Sequence, residues 1–197
     1  MAEYFEEWRE RLDRFEVSIG HTNVGGGAHP FSYLRMHKGV CVLALVGSDV
    51  LLVREHRFAV GGWQDELPAG TIDPGETPAE AAARELLEET GHRALGLEDL
   101  GSFYPSFGST DEEIFLFAAE CDEHAVPLAL DGGEELSAYR VPLAEVVRMV
   151  ADGRIAHGAG IAALARWAFR HPEAIGALAS SDAASESPAL PDNPKEA

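Results

Sequence analysis

The residues with the clearest capacity for chemistry are glutamates in the segment GTIDPGETPAEAAARELLEETG, residues 70–91. If this segment is helical, Glu85, Glu88 and Glu89 occupy a single turn at positions i, i+3 and i+4. Carboxylates at this spacing repel one another, and the C-terminal end of a helix favours cations. Divalent cations such as Mg²⁺ and Mn²⁺ prefer oxygen ligands and would supply the missing positive charge. For each glutamate taken alone, a solvated surface position is the alternative.

The same segment carries the signals for a helix that would hold these carboxylates. Residues 77–80, Thr-Pro-Ala-Glu, form a capping box with proline at the first helical position, and Gly91 supplies a C-terminal stop. Arg84 precedes Glu88 by one turn and is placed to pair with it and orient it. The three glutamates are predicted to lie off the buried side of the helix. That side is predicted to consist of Ala79, Ala82, Ala83, Leu86, Leu87 and Thr90.

Length and composition favour one globular domain in a reducing compartment. The chain has 197 residues, of which 46% are hydrophobic, enough for a single core. Its formal net charge of -19 argues against binding to nucleic acid or to an anionic membrane, because both need a basic surface. Cys41 and Cys121 are too few for a disulfide framework and are expected to be buried thiols. The sequence lacks a signal-peptide core and a membrane-spanning apolar run, which predicts a cytoplasmic protein.

Apolar patterns outside the central helix predict a mixed sheet covered by helices. Residues 3–15 place Phe5, Trp8, Leu12 and Phe15 at helical spacing, which predicts a short amphipathic helix. The segment GVCVLALVGSDVLLVREHR predicts a hairpin that turns at Gly-Ser-Asp. After the central helix, LGLEDLGSFYPS and DEEIFLFAAEC predict a second strand pair. LSAYRVPLAEVVRMVADG predicts a strand that leads into a helix, and a last helix is predicted to stop at Pro172.

These elements divide the chain into three parts. Residues 1–34 form an N-terminal helix or strand segment, in which NVGGGAHP is predicted to be a loop. Residues 35–172 contain the predicted sheet and helices. Residues 173–197 are rich in Ala, Ser, Pro and Asp with few large apolar side chains, which predicts a disordered tail.

The spacing of the central segment matches the Nudix box, G-x5-E-x7-R-E-U-x-E-E-x-G-U, where U is aliphatic. The match places the box at residues 70–92, and only His92 departs from it, at a packing position. Over roughly residues 35–170 the sequence therefore resembles the Nudix hydrolases. That resemblance implies an α/β/α sandwich around a mixed β-sheet with a loop-helix-loop catalytic motif. It also implies Mg²⁺- or Mn²⁺-dependent hydrolysis of a nucleoside diphosphate linked to another group, with Glu85 and Glu89 as principal ligands and Glu88 as a third. The matching positions are Gly70, Glu76, Arg84, Glu85, Leu86, Glu88, Glu89 and Gly91.

The flanking segments resemble the ADP-ribose pyrophosphatase branch of this family. They are LLVREHR and WQDELPAGTIDPGE before the helix and YPSFGSTDE after it. The resemblance implies that the carbonyl of Ala69 joins the metal ligands and that Arg57 clamps a phosphate. Arg54 is a weaker candidate, because an exposed strand arginine is more often solvated. The other substrate-contacting candidates are Trp63, Glu66 and Glu112, although Trp63 is equally compatible with a core position.

The resemblance places a general base on a loop well after the box, where Glu134 or Glu135 matches and Glu112 is the second candidate. Glu88 and Arg84 complete the catalytic group. The implied reaction is cleavage of ADP-ribose to AMP and ribose 5-phosphate by a homodimer. The alternatives are a nucleotide-sugar or other nucleoside diphosphate pyrophosphatase, and a non-catalytic sensor of ADP-ribose. Catalysis is favoured because the box glutamates are intact.

Overall fold

The computed structural model describes residues 3–12, 14–128 and 136–174. Its elements form a small N-terminal sheet followed by a larger sheet with helices on both faces. The N-terminal strands are β1 (Glu3–Arg11), β2 (Phe15–Val24) and β3 (Gly27–Met36). The larger sheet contains β4 (Gly39–Val46), β5 (Asp49–Arg57), β6 (Gly62–Glu66), β7 (Ala69–Thr71), β8 (Ala94–Phe103), β9 (Ile114–Cys121) and β10 (Leu136–Pro142). The helices are α1 (Pro78–Thr90), α2 (Leu143–Ala151) and α3 (Gly158–Arg170).

The predicted N-terminal helix is wrong, because these residues form strand β1. β1 pairs antiparallel with β2, with Phe5 opposite His21 and Trp8 opposite Ile19. A bulge between Glu6 and Trp8 adds one residue, so Phe5 and Trp8 lie on the same face of the sheet although they are three positions apart. A bulged strand thus reproduces the spacing that predicted a helix. The predicted loop NVGGGAHP is wrong except for a turn at Gly25 and Gly26, because its other residues pair in β2 and β3.

The larger sheet is mixed, as predicted. Its main path runs β10-β5-β4-β9-β8, with β6 paired to β5 and β7 paired to β4. β4 and β9 are parallel, whereas the other pairs are antiparallel. The predicted hairpin turns at Gly47, whose φ of 61° suits glycine. The strand pair β8–β9, the transition from β10 to α2 and the last helix are also confirmed.

Alternating side chains along β4 send apolar residues to both faces of the sheet, which gives the predicted α/β/α sandwich. On one face, α1 packs Ala81, Ala82 and Leu86 against Val40, Val42 and Leu51. On the other face, α2 and α3 pack Met149, Ala163 and Trp167 against Cys41, Leu43 and Leu52. Both cysteines are buried and free. Within the described part of the chain, no helix has the length and apolar character needed to cross a membrane.

Two predictions fall partly or wholly on residues outside the described ranges. Glu134 and Glu135, the first candidates for the general base, lie in the interval from 129 to 135. The predicted C-terminal tail lies outside the described residues from residue 175 onward. Both remain predictions.

Candidate active site

Helix α1 holds the acidic turn in a fixed position because both of its ends are capped. The Thr77 hydroxyl accepts a hydrogen bond from Glu80 N at 3.3 Å, and Glu80 Oε2 accepts one from Thr77 N at 2.8 Å. At the other end, Gly91 has a φ of 72° and its N–H donates to Leu87 O. A Cβ at Gly91 would overlap the carbonyl oxygen of Val126. The capping box and the glycine stop predicted from the sequence are both present.

The buried side of α1 differs from the predicted stripe. Ala81 is buried in place of Ala79, and Glu89 is only 4% exposed. Glu89 turns inward because α1 packs against strand β7 as well as against the sheet face, and Glu89 Oε2 accepts a hydrogen bond from Ala69 N at 3.0 Å. The expectation that Glu89 lies off the buried side was therefore wrong. A buried carboxylate needs a partner, and here the backbone of β7 supplies one.

Arg84 joins three other acidic residues of the segment, Glu76, Glu85 and Glu88. Its Nη1 donates to Glu85 Oε1 at 2.9 Å and to Glu88 Oε2 at 3.0 Å. Its Nε and Nη2 donate to the two oxygens of Glu76, each at 3.0 Å, and Nη2 also donates to Thr71 O. The Arg84 guanidinium holds the pKa of Glu76 below its ordinary value. One cation thus offsets the repulsion among three carboxylates and ties the helix to the loop that precedes it.

Glu85 lies directly against Gly70. A Cβ added to Gly70 would overlap the carboxylate of Glu85, so only glycine leaves room for it. Because Arg84 Nη1 bonds both Glu85 and Glu88, their carboxylates are neighbours, and Glu89 approaches the same strand at Ala69. α1 and β7 together therefore present the carboxylates predicted as metal ligands and the carbonyl of Ala69.

These groups fit a hard divalent cation chemically, since all of them offer oxygen. They do not form a ready-made cage: over the described ranges, no three His, Cys, Asp or Glu side chains converge closely enough to hold an ion. Arg84 and the N–H of Ala69 engage the same carboxylates. Glu85, Glu88, Glu89 and the Ala69 carbonyl are the residues that would hold Mg²⁺ or Mn²⁺.

Arg57 is fixed by a buried carboxylate. Its Nε and Nη2 donate to the two oxygens of Glu66 at 3.0 and 2.9 Å, and Nη2 lies 3.0 Å from Glu55 Oε2. Glu66 is 4% exposed, so its position suits orienting Arg57 better than touching a substrate. Among the described residues, Nη1 of Arg57 has no hydrogen-bond partner and remains available for an anion.

His157 is a neighbour of this pair that the sequence analysis missed. Its Nδ1 lies 3.6 Å from Glu66 Oε2, at the N-cap of α3. Burial lowers the pKa of His157, which favours the neutral imidazole. No local signal could have revealed this contact, because the two residues are far apart in the sequence and meet only through the packing of α3.

Arg54 and Trp63 lie on the other face of this edge of the sheet. Arg54 lies three residues before Arg57 on β5, which puts the two side chains on opposite faces of the strand. Arg54 donates to both oxygens of Asp65 at 3.1 and 3.3 Å. The hydroxyl of Tyr139 donates to the same carboxylate at 2.7 Å. Trp63 pairs with His56, and their rings meet edge to face. The structure does not bring Arg54 together with Arg57, because successive strand residues point to opposite faces.

Glu112 lies half-buried in the loop before β9. Burial raises the pKa of its carboxyl. β9 begins at Ile114 opposite Gly39, and Gly39 also pairs with Thr71 of β7. Glu112 is therefore at the same end of these neighbouring strands as the start of the acidic segment.

The departure from the box at His92 is accommodated by packing. His92 is 4% exposed, its N–H donates to Thr90 Oγ1, and its Nδ1 lies 2.8 Å from the carbonyl oxygen of Asp122. The imidazole thus fills an interior position and has a polar partner there.

A family model described as NUDIX domain matches residues 35–164. The chain belongs to the Nudix family. This Nudix protein is 29% identical over 153 residues to a CMP-5'-(N-acetyl-N-hydroxy-3-aminopropyl)phosphonate hydrolase from Streptomyces rubellomurinus, covering 76% of this chain and 73% of that one. It is 35% identical over 119 residues to an ADP-ribose pyrophosphatase from Bacillus subtilis, covering 58% of this chain and 63% of that one. A crystal structure of an ADP compounds hydrolase superposes with a TM-score of 0.72 at 25% identity, covering 87% of this chain and 95% of that one. The resemblance to the ADP-ribose pyrophosphatase branch is confirmed.

Proposed function

We propose that this protein hydrolyses the pyrophosphate bond of a nucleoside diphosphate derivative, and that ADP-ribose is its substrate. Water attacks one phosphorus, the bridging P–O bond breaks, and the products are AMP and ribose 5-phosphate. The observation that carries the proposal is the placement of Glu85 and Glu89 against strand β7, with Glu88 joined to Glu85 through Arg84. The similarity to an ADP-ribose pyrophosphatase supports the choice of substrate.

The side chains divide the work of this reaction. When bound, Mg²⁺ or Mn²⁺ polarises a phosphoryl oxygen and lowers the pKa of the attacking water. Arg84 holds Glu85 and Glu88 in place, and Glu66 holds Arg57 so that Nη1 can meet a phosphate oxygen.

The proton of the attacking water goes to a carboxylate. Glu112 has the half-buried position and the raised pKa that suit a general base. Glu134 and Glu135 remain the other candidates.

A substrate panel tests the proposal. The protein is incubated with millimolar Mg²⁺ or Mn²⁺ and ADP-ribose, NADH, nucleotide sugars or dinucleoside polyphosphates, and phosphate is measured after treatment with a phosphatase. A CMP-linked phosphonate belongs in the panel because a relative is named for hydrolysing one. We expect metal-dependent turnover with the highest kcat/KM for ADP-ribose. If none of these compounds is hydrolysed, the proposal is wrong. Binding of ADP-ribose without hydrolysis would favour the sensor.

The proposal also includes a homodimer in the cytoplasm with Mg²⁺ or Mn²⁺ as cofactor. Sedimentation velocity measures the oligomeric state directly. Removal of divalent ions with EDTA, followed by addition of each metal, identifies the ion that supports turnover.

A further inference from the structure

His157 is the N-cap of α3, but its side chain does not cap the helix. The usual N-cap side chain accepts a hydrogen bond from the first helical turn. Over the described residues, the His157 side chain forms no such bond, and its Nδ1 is buried without a hydrogen-bond partner. This nitrogen lies 3.6 Å from Glu66 Oε2. A buried polar atom without a partner is costly, so helix capping does not account for the placement of this ring.

Close packing of α3 fixes the ring at this carboxylate. A Cβ added to Gly160 would lie 3.3 Å from Cγ of Leu67 and 3.7 Å from Nδ1 of His157. The first turn of α3 therefore fits tightly against the residue that follows Glu66. Ala159 and Leu67 are buried in the same core, which anchors this contact. The positive end of the α3 dipole thus lies beside Glu66 and favours its charged form.

The Glu66–Arg57 pair lies next to the acidic turn of α1. Only two residues separate Glu66 from Ala69, whose N–H donates to Glu89. Burial opposes the charge of Arg57, but the hydrogen bond to Glu66 and nearby carboxylates that include Glu89 raise its pKa. Arg57 is therefore close enough to Glu89 for a Coulomb interaction. A phosphate oxygen bound to a cation at Glu89 would lie within the same range of this guanidinium.

A neutral imidazole suits the position behind Glu66. Burial lowers the pKa of His157, and the opposing charge of Glu66 does not restore it. With its hydrogen on Nδ1, the neutral ring can donate to Glu66 without competing with Arg57 as a second cation. The separation of 3.6 Å is longer than a hydrogen bond, and a movement of about 0.5 Å closes it.

We propose that His157 is a positioning residue, whose Nδ1–H holds the Glu66 carboxylate in the orientation that presents Nη1 of Arg57 to a phosphate oxygen of the substrate. The inference rests on the proposed function for the diphosphate in the substrate, and it adds the residue that fixes the arginine from behind. His157 acts only through Glu66 and Arg57. Its loss should therefore weaken substrate binding more than it slows the chemical step.

Variants of His157 separate a hydrogen bond from packing. We expect His157→Ala to raise KM for ADP-ribose roughly tenfold and to change kcat less than about threefold. The amide nitrogen of Asn lies near the position of Nδ1, whereas that of Gln lies near Nε2. His157→Asn should therefore bring KM to within about twofold of wild type, and His157→Gln should not. Asn is also a favourable N-cap, so the melting temperature of His157→Asn should not fall.

His171→Ala is the matched control. His171 also pairs with a glutamate, since its Nε2 lies 2.8 Å from Glu98 Oε2, but it stands at the opposite end of α3. Its loss should leave KM unchanged. In a Glu66→Gln background, which lacks the carboxylate to be held, His157→Ala should change KM by less than about twofold. Losses that multiply in this double variant, an unchanged KM in His157→Ala, or equal rescue by Asn and Gln would overturn the inference.

NMR of isotope-labelled histidine tests the same contact without turnover. Nδ1 of His157 should carry the hydrogen in wild type and lose that preference in Glu66→Gln. Inorganic pyrophosphate added with Mg²⁺ should shift this signal, and Arg57→Lys, which lacks the planar fork, should reduce the shift. A hydrogen on Nε2 in wild type would refute the positioning role.

The two assays distinguish failure of the inference from failure of the proposed function. If ADP-ribose is not hydrolysed but pyrophosphate shifts the His157 signal in the manner that depends on Arg57, the proposed substrate fails and the positioning role stands. If ADP-ribose is hydrolysed and His157→Ala keeps the wild-type KM, the positioning role fails alone.

Discussion

Substitution of Gly70 by alanine tests the geometry of the acidic site most directly. Gly70 lies in β7 opposite Val40, and its backbone conformation does not require glycine. The added methyl group would overlap the carboxylate of Glu85. The carboxylate must therefore move by an amount on the order of 1 Å to reach an ordinary contact distance. That movement also disturbs its 2.9 Å hydrogen bond to Arg84.

The size of the expected effect follows from this displacement. Misplacement of a catalytic group by about 1 Å costs roughly 10²-fold in rate, equivalent to about 2.7 kcal/mol of activation free energy. We therefore expect kcat/KM for ADP-ribose to fall roughly 10²-fold. The Mg²⁺ concentration that gives half-maximal rate should rise, because Glu85 is a proposed ligand. The melting temperature should change little, since alanine is compatible with strand β7.

The assay compares kcat/KM, metal dependence and melting temperature for Gly70→Ala and for the control Gly96→Ala. Gly96 is also a strand glycine, but a Cβ there would meet no atom within 4 Å. In a double variant, Glu85→Asp shortens the side chain and withdraws it from the new methyl group, so the two losses should not add. A Gly70→Ala protein with wild-type kcat/KM would show that the position of Glu85 against β7 has no part in the reaction.

Four further predictions concern the other site residues and the chain end. Arg84→Lys keeps the charge but cannot bond several carboxylates in one plane, so kcat should fall about 10- to 100-fold, and an unchanged kcat would exclude an orienting role. Glu89→Gln keeps an acceptor for Ala69 N but loses the charge, so turnover should fall by orders of magnitude with the melting temperature preserved; full Mg²⁺-dependent activity would contradict its role as a ligand. Burial raises the pKa of Glu112, so a general base there becomes active only as pH rises through that raised value; the pH–rate profile should lose this limb in Glu112→Gln, and its persistence would assign the base elsewhere. Deletion of residues 178–197 should leave activity and melting temperature unchanged, and a fall of many degrees would contradict the predicted tail.

The sequence predicted the elements that depend on neighbouring residues. The capping box at residues 77–80 and the stop at Gly91 act within one helical turn, so the bounds of α1 could be read directly. The hairpin around Gly47 depends on a few residues of turn chemistry. The match to the Nudix box similarly needs only spacing along one segment.

Predictions that depended on partners far away in the chain were less successful. Phe5 and Trp8 have helical spacing, yet pairing with β2 and one bulge make that segment a strand. Backbone hydrogen bonds to a distant strand can override the helical spacing of apolar residues. No feature within residues 3–15 indicates that β2 is the pairing strand. The period of α1 likewise could not show that Glu89 faces Ala69, because β7 adds a second surface against the helix.

By itself, the sequence determined the family, the mixed sheet with helices on both faces, and the segment that carries the carboxylates. Tertiary structure alone decided how those groups are held. It placed Glu85 against Gly70, bound Arg57 to buried Glu66 and brought His157 beside that pair. The reason is physical: caps, turns and periodicity act over a few residues, whereas burial and ion pairing depend on groups that only folding brings together.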